Sequence, residues 1–214
     1  MQATVIGAGN MGRGIGHRLV AGGHSVVVVD RDPEEAGELA EELRGVAEGD
    51  ATVEAAGPGA ELRGEVVILA VYYPGSLEIA GELGEELAGK IVVDISNPLN
   101  QTFDGLATAP GTSAAEELAA ALPAGARVVK AFNTTFSGTL VEGQFAGQPL
   151  DVFLAGDDEG AKETVAQLVR DGGLRAIDTG PLERARQLEG LGFLHITLQQ
   201  PLGTGFGSAV KILA

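Results

Sequence analysis

The chain has 214 residues and 44% hydrophobic content, enough for one large domain, or one domain with a small appendage. It contains no cysteine, which excludes disulfides, thiolate metal sites and cysteine nucleophiles. Thirty Asp and Glu stand against fourteen Lys and Arg, a formal net charge of −16 with no basic stripe, so nucleic acid is not an expected partner.

Val5 and Ile6 end a short apolar run, read as the first strand. Gly7, Gly9 and Gly12 follow in Gly-x-Gly-x-x-Gly spacing, and Met11, Ile15 and Leu19 recur at helical spacing. Gly22 and Gly23 stop that helix, and Val26 to Val29 form a second strand ending in Asp30. Asp32 and Pro33 open a second helix carrying Leu39, Leu43 and Val46. A weak strand over 51–55 follows, then a strong one over 66–71 that is apolar throughout, as a strand buried on both faces should be. Tyr72, Tyr73 and Pro74 break it before a helix over 76–87, and 91–95 is the fifth strand, ended by Ser96, Asn97 and Pro98. Residues 99–112 read as an irregular loop, with Thr112 or Ser113 capping a helix to about Leu122. A sixth strand over 127–131 ends in Phe132, Asn133 and Thr134. Residues 135–149 have no clear pattern. A strand over 150–155, a helix from about Asp158 to Arg170, a strand over 174–178 and a last helix from near Leu182 complete the chain.

Strands and helices alternate, which predicts a Rossmann-type α/β fold: a doubly wound parallel sheet over 1–180, with a C-terminal helix and tail over 181–214. No apolar stretch is long enough to span a bilayer, and Met1 runs straight into the first strand without a basic leader. The expectation is a cytoplasmic protein without a membrane partner. The last helix is apolar enough to pack on a second copy, giving a homodimer, or on its own sheet. Scarce Lys with abundant Glu fits either a salt-adapted source or biased base composition.

Strand, glycine turn, helix, strand and acid in this order form a dinucleotide-binding fingerprint. Gly7 allows the tight turn, Gly9 lets main chain approach a pyrophosphate, and Gly12 lets the helix pack against the strand. The helix N-terminus then offers unpaired N–H groups and a positive dipole end. In such sheets ligands bind beyond the carboxyl ends of the strands, so the rim comprises Gly7, Asp30, Arg31, Tyr72, Tyr73, Asn97 and Asn133. This rim is poor in acid–base groups. His17, His24 and His195 lie in or beside helices, and no Ser/His/Asp order, carboxylate pair or metal spacing stands out. The expectation is no catalytic side chain and no metal. Hydride transfer between two bound coenzymes needs only positioning from the protein.

These motifs resemble the NADP oxidoreductase, coenzyme F420-dependent family over almost the whole chain. The resemblance lies in the turn Gly7–Gly12, the stretches beginning at Lys90, Arg127 and Ala155, the run from Asp178 to Leu182, the run from Arg186 to Leu191, and the tail at Gly205 to Gly207. The stretches 93–97 and 129–133 are more similar to another branch, the cytosolic reductase domain of six-transmembrane metalloreductases. The resemblance implies an oxidoreductase passing hydride between NADP(H) and the deazaflavin coenzyme F420. It implies that Ala8, Gly9, Asn10 and Met11 line the pyrophosphate turn, and that Asp30 and Arg31 meet the adenosine ribose, Arg31 taking a 2′-phosphate. Val71 and Gly75 would flank adenine and ribose, Asn97 and Ser137 the nicotinamide half. Asn133 and the tail at Gly207 and Ala209 would border the deazaflavin. Two departures matter. Asp30 suits a free 2′-hydroxyl and so leans toward NAD, while Arg31 leans toward NADP. Asn133 replaces a histidine found in some deazaflavin enzymes. The alternatives are an NAD(P)H-dependent flavin or ferric reductase, and a non-catalytic NAD(P)-binding module.

Overall fold

The computed structural model describes residues 1–213, and its core is an eight-stranded sheet between two helical layers. The strands are β1 (Gln2–Ile6), β2 (Ser25–Val29), β3 (Val53–Ala56), β4 (Val66–Leu69), β5 (Ile91–Asp94), β6 (Arg127–Lys130), β9 (Asp151–Gly156) and β10 (Arg175–Asp178). A separate two-stranded hairpin is formed by β7 (Gln144–Phe145) and β8 (Gln148–Pro149). The sheet order is β10-β9-β6-β5-β4-β1-β2-β3. The chain therefore leaves β1 toward β2 on one side and reaches β4 on the other, opening a crevice above β1 where such folds bind ligands.

One face of the sheet carries α1 (Asn10–Ala21), α2 (Pro33–Arg44), α5 (Ser137–Glu142) and α6 (Glu159–Asp171). The other carries α3 (Tyr73–Leu83), α4 (Ala114–Ala121) and α7 (Ala185–Leu202). Strand side chains alternate between the two cores: Ala3 and Val5 face one, Ile6 the other. The helices start where their caps dictate. Asp32, Ser113 and Asp158 accept main-chain N–H groups of Glu34, Glu116 and Ala161.

The structure corrects several expectations. The sheet is mostly rather than wholly parallel: β9 runs antiparallel to β6, through Val129↔Gly156 and Lys130↔Ala155. The link between them is a six-residue helix and a small hairpin instead of a full crossover helix, and a parallel return requires the latter. Residues 135–149, which lack pattern in the sequence, form α5 and that hairpin. Helix α3 begins at Tyr73 rather than Ser76, because Pro74 sits in the first turn, where its missing N–H costs nothing. The last helix starts as a 3-10 turn over Leu182–Arg184 and becomes α7 at Ala185. Val46 lies beyond the end of α2 and is exposed. No helix among the described residues is long and apolar enough to cross a membrane.

Candidate active site

The glycine turn has the geometry its spacing predicts. Gly7 sits at φ 111° and donates its N–H to the Val29 carbonyl at 2.8 Å, tying the turn to β2. A Cβ on Gly12 would overlap the Gly7 carbonyl oxygen, so only glycine lets α1 leave the turn at this angle. Gly9 differs. No atom lies within 4 Å of where its Cβ would be, so the space above it is open. Gly9 is also the N-cap of α1, without a side-chain cap and without an acid in the first turn. Asn10 is exposed there and Met11 packs partly into the core. An uncapped twelve-residue helix beneath an open backbone surface fits a pyrophosphate.

Around this turn the structure gathers most of the residues named for the nucleotide. Asp30 accepts the Ala8 N–H at 2.7 Å and the Asp32 N–H at 3.0 Å, one on each carboxylate oxygen. Arg31 beside it is exposed. Val71 lies against the Gly7 turn, and a Cβ on Gly75 would meet Val71 at 3.6 Å, so these three positions form one wall. Ser137 opens α5, which lies so close along α1 that a Cβ on Gly14 would come within 2.9 Å of the Ser137 carbonyl oxygen and of the Leu140 Cβ.

The other side of the crevice is closed by α7. Asn97 and Asn133 form an amide pair: Asn133 Nδ2 donates to Asn97 Oδ1 at 2.9 Å, and Asn97 Nδ2 donates to the Asn133 carbonyl at 2.7 Å. Asn133 Nδ2 also donates to the Leu188 carbonyl of α7 at 2.8 Å. Asn133 Oδ1 is buried without a hydrogen-bond partner. Asn133 is 4% exposed, so it is a buried link between strand end and helix rather than an open surface group.

Two turns further along α7, His195 Nδ1 donates to the Thr134 carbonyl at 3.2 Å, since a carbonyl can only accept. Its Nε2 meets the Ser208 hydroxyl at 2.8 Å. The ring stacks on Phe136 at 4.2 Å, and Phe206 meets Phe136 edge-on at 5.1 Å. Ser208 lies between Gly207 and Ala209, so the tail is fastened beside the end of β6 through His195. Burial pushes the His195 imidazole below its ordinary value, against the opposing Thr134 contact. His17 and His24 stand elsewhere: His17 meets Glu42 of α2 at 2.6 Å, and His24 meets the N-terminal amine at 3.0 Å.

Sequence reasoning missed the charged core of this side. Lys130, fully buried, donates to Asp94 Oδ2 at 2.7 Å, to the Ser96 carbonyl at 2.6 Å and to Glu189 Oε1 at 2.9 Å. Glu189 also accepts the Ala114 N–H at 3.0 Å and the Ala115 N–H at 3.3 Å, at the start of α4. Burial pushes its carboxyl up, opposed chiefly by Lys130. Around it, Tyr73 donates to Glu117, and Arg186 grips Glu116 with two hydrogen bonds at 2.8 and 2.6 Å. Burial and then Glu117 push the Tyr73 phenol up to about 12. A signal existed for half of this cluster. Asp94 and Lys130 interrupt the apolar runs of two central strands, where an unpaired charge is not tolerated. Nothing local marks Glu189.

The fold and the uncapped glycine turn are those of a Rossmann-type dinucleotide-binding domain. The family model "NADP oxidoreductase coenzyme F420-dependent" matches residues 2–98. The F420-dependent NADP reductase of Methanothermobacter marburgensis is 32% identical over 92% of this chain and 91% of its own length. A crystal structure of a candidate F420-dependent NADP reductase from Arthrobacter sp. FB24 superposes with TM-score 0.83 at 31% identity, covering 99% of both chains. Metalloreductase STEAP3 of Rattus norvegicus is 34% identical over 87% of this chain, which spans only 35% of that protein. The chain belongs to the NADP oxidoreductase, coenzyme F420-dependent family.

Proposed function

We propose that this protein transfers hydride between NADP(H) and coenzyme F420. One observation carries the reading: the match to an F420-dependent NADP reductase covers 92% of this chain and 91% of that relative. The resemblance is therefore to a whole reductase and not to a nucleotide-binding half alone. In this reading residues 1–180 hold the nucleotide, and 181–214 close the acceptor side.

The work of the chain is to bind and to orient. Gly7, Ala8, Gly9, Asn10, Met11 and Gly12 form the pyrophosphate cradle, in which the α1 dipole favours the anion. Arg31 meets the 2′-phosphate. Asp30 accepts the Ala8 N–H on one oxygen and the Asp32 N–H on the other, and so holds the turn against β2. Val71 and Gly75 flank the adenosine half, and Ser137 and Asn97 the nicotinamide half. Asn133, Gly207 and Ala209 bound the acceptor side, Asn133 from its buried place between the end of β6 and α7. When bound, the two coenzymes supply both reacting carbons. The protein contributes alignment and exclusion of water. The protein is cytoplasmic in this reading. Leu194, Leu198 and Leu202 expose an apolar stripe on α7 that suits a second copy, giving a homodimer.

Mixing the protein with reduced F420 and NADP⁺ tests the reading. Turnover is expected as a change in deazaflavin absorbance, and failure to turn over with either nicotinamide nucleotide rejects it. The likeness to the metalloreductase favours a flavin acceptor as second reading. NADPH-driven reduction of FMN or FAD, without reduction of F420, would replace the first reading by the second.

A further inference from the structure

We propose that Lys130 and Glu189 are positioning residues: their buried contact, with Asp94, sets the register of α7 against the Asn97–Asn133 amide pair. This fixes the approach of the two coenzymes rather than the affinity for either. The inference rests on the hydride-transfer reading above.

Stability alone gives this cluster no reason to exist. Two carboxylates and one ammonium, all fully buried, meet in one cluster, and each has been taken out of water. Well-packed apolar residues would fill the same volume at equal or lower free energy. What they would not supply is direction. An apolar helix face slides and rotates over an apolar surface at small cost, whereas Glu189 has partners at three fixed points: Lys130 Nζ and the N–H groups of Ala114 and Ala115. Those partners belong to β6 and α4, so α7 is located against two elements at once.

The consequences run along α7. One residue before Glu189, the Leu188 carbonyl accepts from Asn133 Nδ2. Three residues after, Gly192 gives up its Cβ space: a Cβ there would overlap Asn97 Oδ1 and come within 3.0 Å of Asn133 Nδ2. Six residues after, His195 holds Thr134 on one side and the tail through Ser208 on the other. A slip of one residue shifts a helix by about 1.5 Å and turns it by about 100°. Every one of these contacts would be lost, on groups that border both coenzymes. Misplacement of about 1 Å costs on the order of 100-fold in rate when reacting atoms must meet in line. Asn97 borders the nicotinamide, but the pyrophosphate turn touches none of this, so nucleotide affinity should change far less than turnover.

Two variants test the proposal by different routes. Glu189→Gln keeps the side-chain shape and leaves Asp94 and Lys130 as a neutral pair, but sets its amide N–H against one of the three donors that Glu189 accepts, which loosens α7 at this point. Gly192→Ala pushes α7 off the amide pair without changing any charge. For both, kcat should fall at least tenfold while the NADPH Kd from calorimetry stays within about twofold of the parent. The Asn133 side-chain amide protons, followed by nuclear magnetic resonance in labelled protein without coenzyme, should lose their protection from exchange. Unchanged kcat and unchanged protection would overturn the proposal. So would kcat and NADPH affinity falling together with the melting temperature, the mark of a merely structural role. If the parent protein transfers no hydride, the functional reading fails, while retained Asn133 protection in both variants would separately overturn the inference.

Discussion

At the nucleotide side of the crevice the anchoring groups come from one short stretch and act mainly through main chain. The glycine turn and the uncapped start of α1 adjoin in sequence, and the Asp30 carboxylate closes on Ala8 across 22 residues. At the acceptor side the groups come from β5, β6, α4 and α7 and act through buried side chains. Lys130 meets Glu189 across 59 residues of sequence, and Ala114 meets Glu189 across 75. The first side is built for binding and depends on the absence of side chains at Gly7 and Gly12. The second is built for alignment and depends on particular ones. Substitutions should therefore divide into those that move affinity and those that move stability or turnover.

The largest effect should come from breaking the acceptor side at its centre. Lys130→Met leaves Asp94 and Glu189 buried without a counter-charge. The cost should be about 3–5 kcal/mol, read as a lower denaturant midpoint, and a stability unchanged within 1 kcal/mol would refute the electrostatic account of this core. Next is the equivalent break on the nucleotide side. Gly12→Ala places a methyl on the Gly7 carbonyl, so turn and helix must separate. NADPH affinity should fall about 100-fold, or about 2.7 kcal/mol, with the Lys130 cluster intact; the melting temperature should fall as well, because the overlap is with main chain, but the folded fraction should still bind poorly. If instead stability collapsed and affinity survived in the folded fraction, the division between the two sides would be wrong.

These two substitutions also mark what the sequence makes legible. The Gly12 prediction needs no structure, because a glycine turn is a local object: spacing fixes which residue meets which carbonyl. The same holds for the caps at Asp32, Ser113 and Asp158, which meet main chain within three residues. Asp94 and Lys130 were half legible, as charges inside apolar strands whose partners had to exist somewhere. Glu189 was not legible, since an acid on a helix of mixed polarity reads as a solvated residue until the fold turns it inward. The antiparallel return of β9 was hidden for a related reason. Strand direction is set by how the chain crosses the sheet, and residues 135–149 have no periodicity from which to read that crossing.

The tail offers a smaller and pH-dependent test of the acceptor side. Asp151 receives Arg175 Nε and Nη2 at 2.8 and 2.6 Å, Lys211 Nζ at 2.7 Å and the Ile212 N–H at 2.8 Å, fastening the tail to β9 and β10. Burial alone would raise this carboxyl, but Arg175, Lys211 and the Ile212 N–H hold it down at about 2. A depressed carboxyl contributes stability that is complete above its unfolded value of about 3.9 and is lost as pH falls through the folded value. The contribution is about 2 kcal/mol. Asp151→Asn should lose it at neutral pH and show a flatter acid limb between pH about 4 and 2. An acid limb identical to the parent's would show that the tail is held by other contacts.

The smallest effect separates the two coenzyme preferences on the nucleotide side itself. Arg31 is exposed, so its pairing with a 2′-phosphate works through water and is worth about a factor of ten, or 1.4 kcal/mol. Arg31→Ala should raise the KM for NADPH about tenfold and leave that for NADH unchanged. Salt sharpens the test. The net charge of −16 repels both nucleotides, and added salt relieves that repulsion for both. Only NADPH also loses the Arg31 attraction, because the screening length shrinks to about 3 Å at 1 M. The ratio of kcat/KM for NADPH over NADH should thus fall with salt in the parent but not in Arg31→Ala, where salt only relieves the stronger repulsion of the more charged NADPH. If it falls equally in both, the 2′-phosphate is held by something other than Arg31. The turn between Asp30 and Asp32 would then shape the ribose site through main chain, as the glycine turn does for the pyrophosphate.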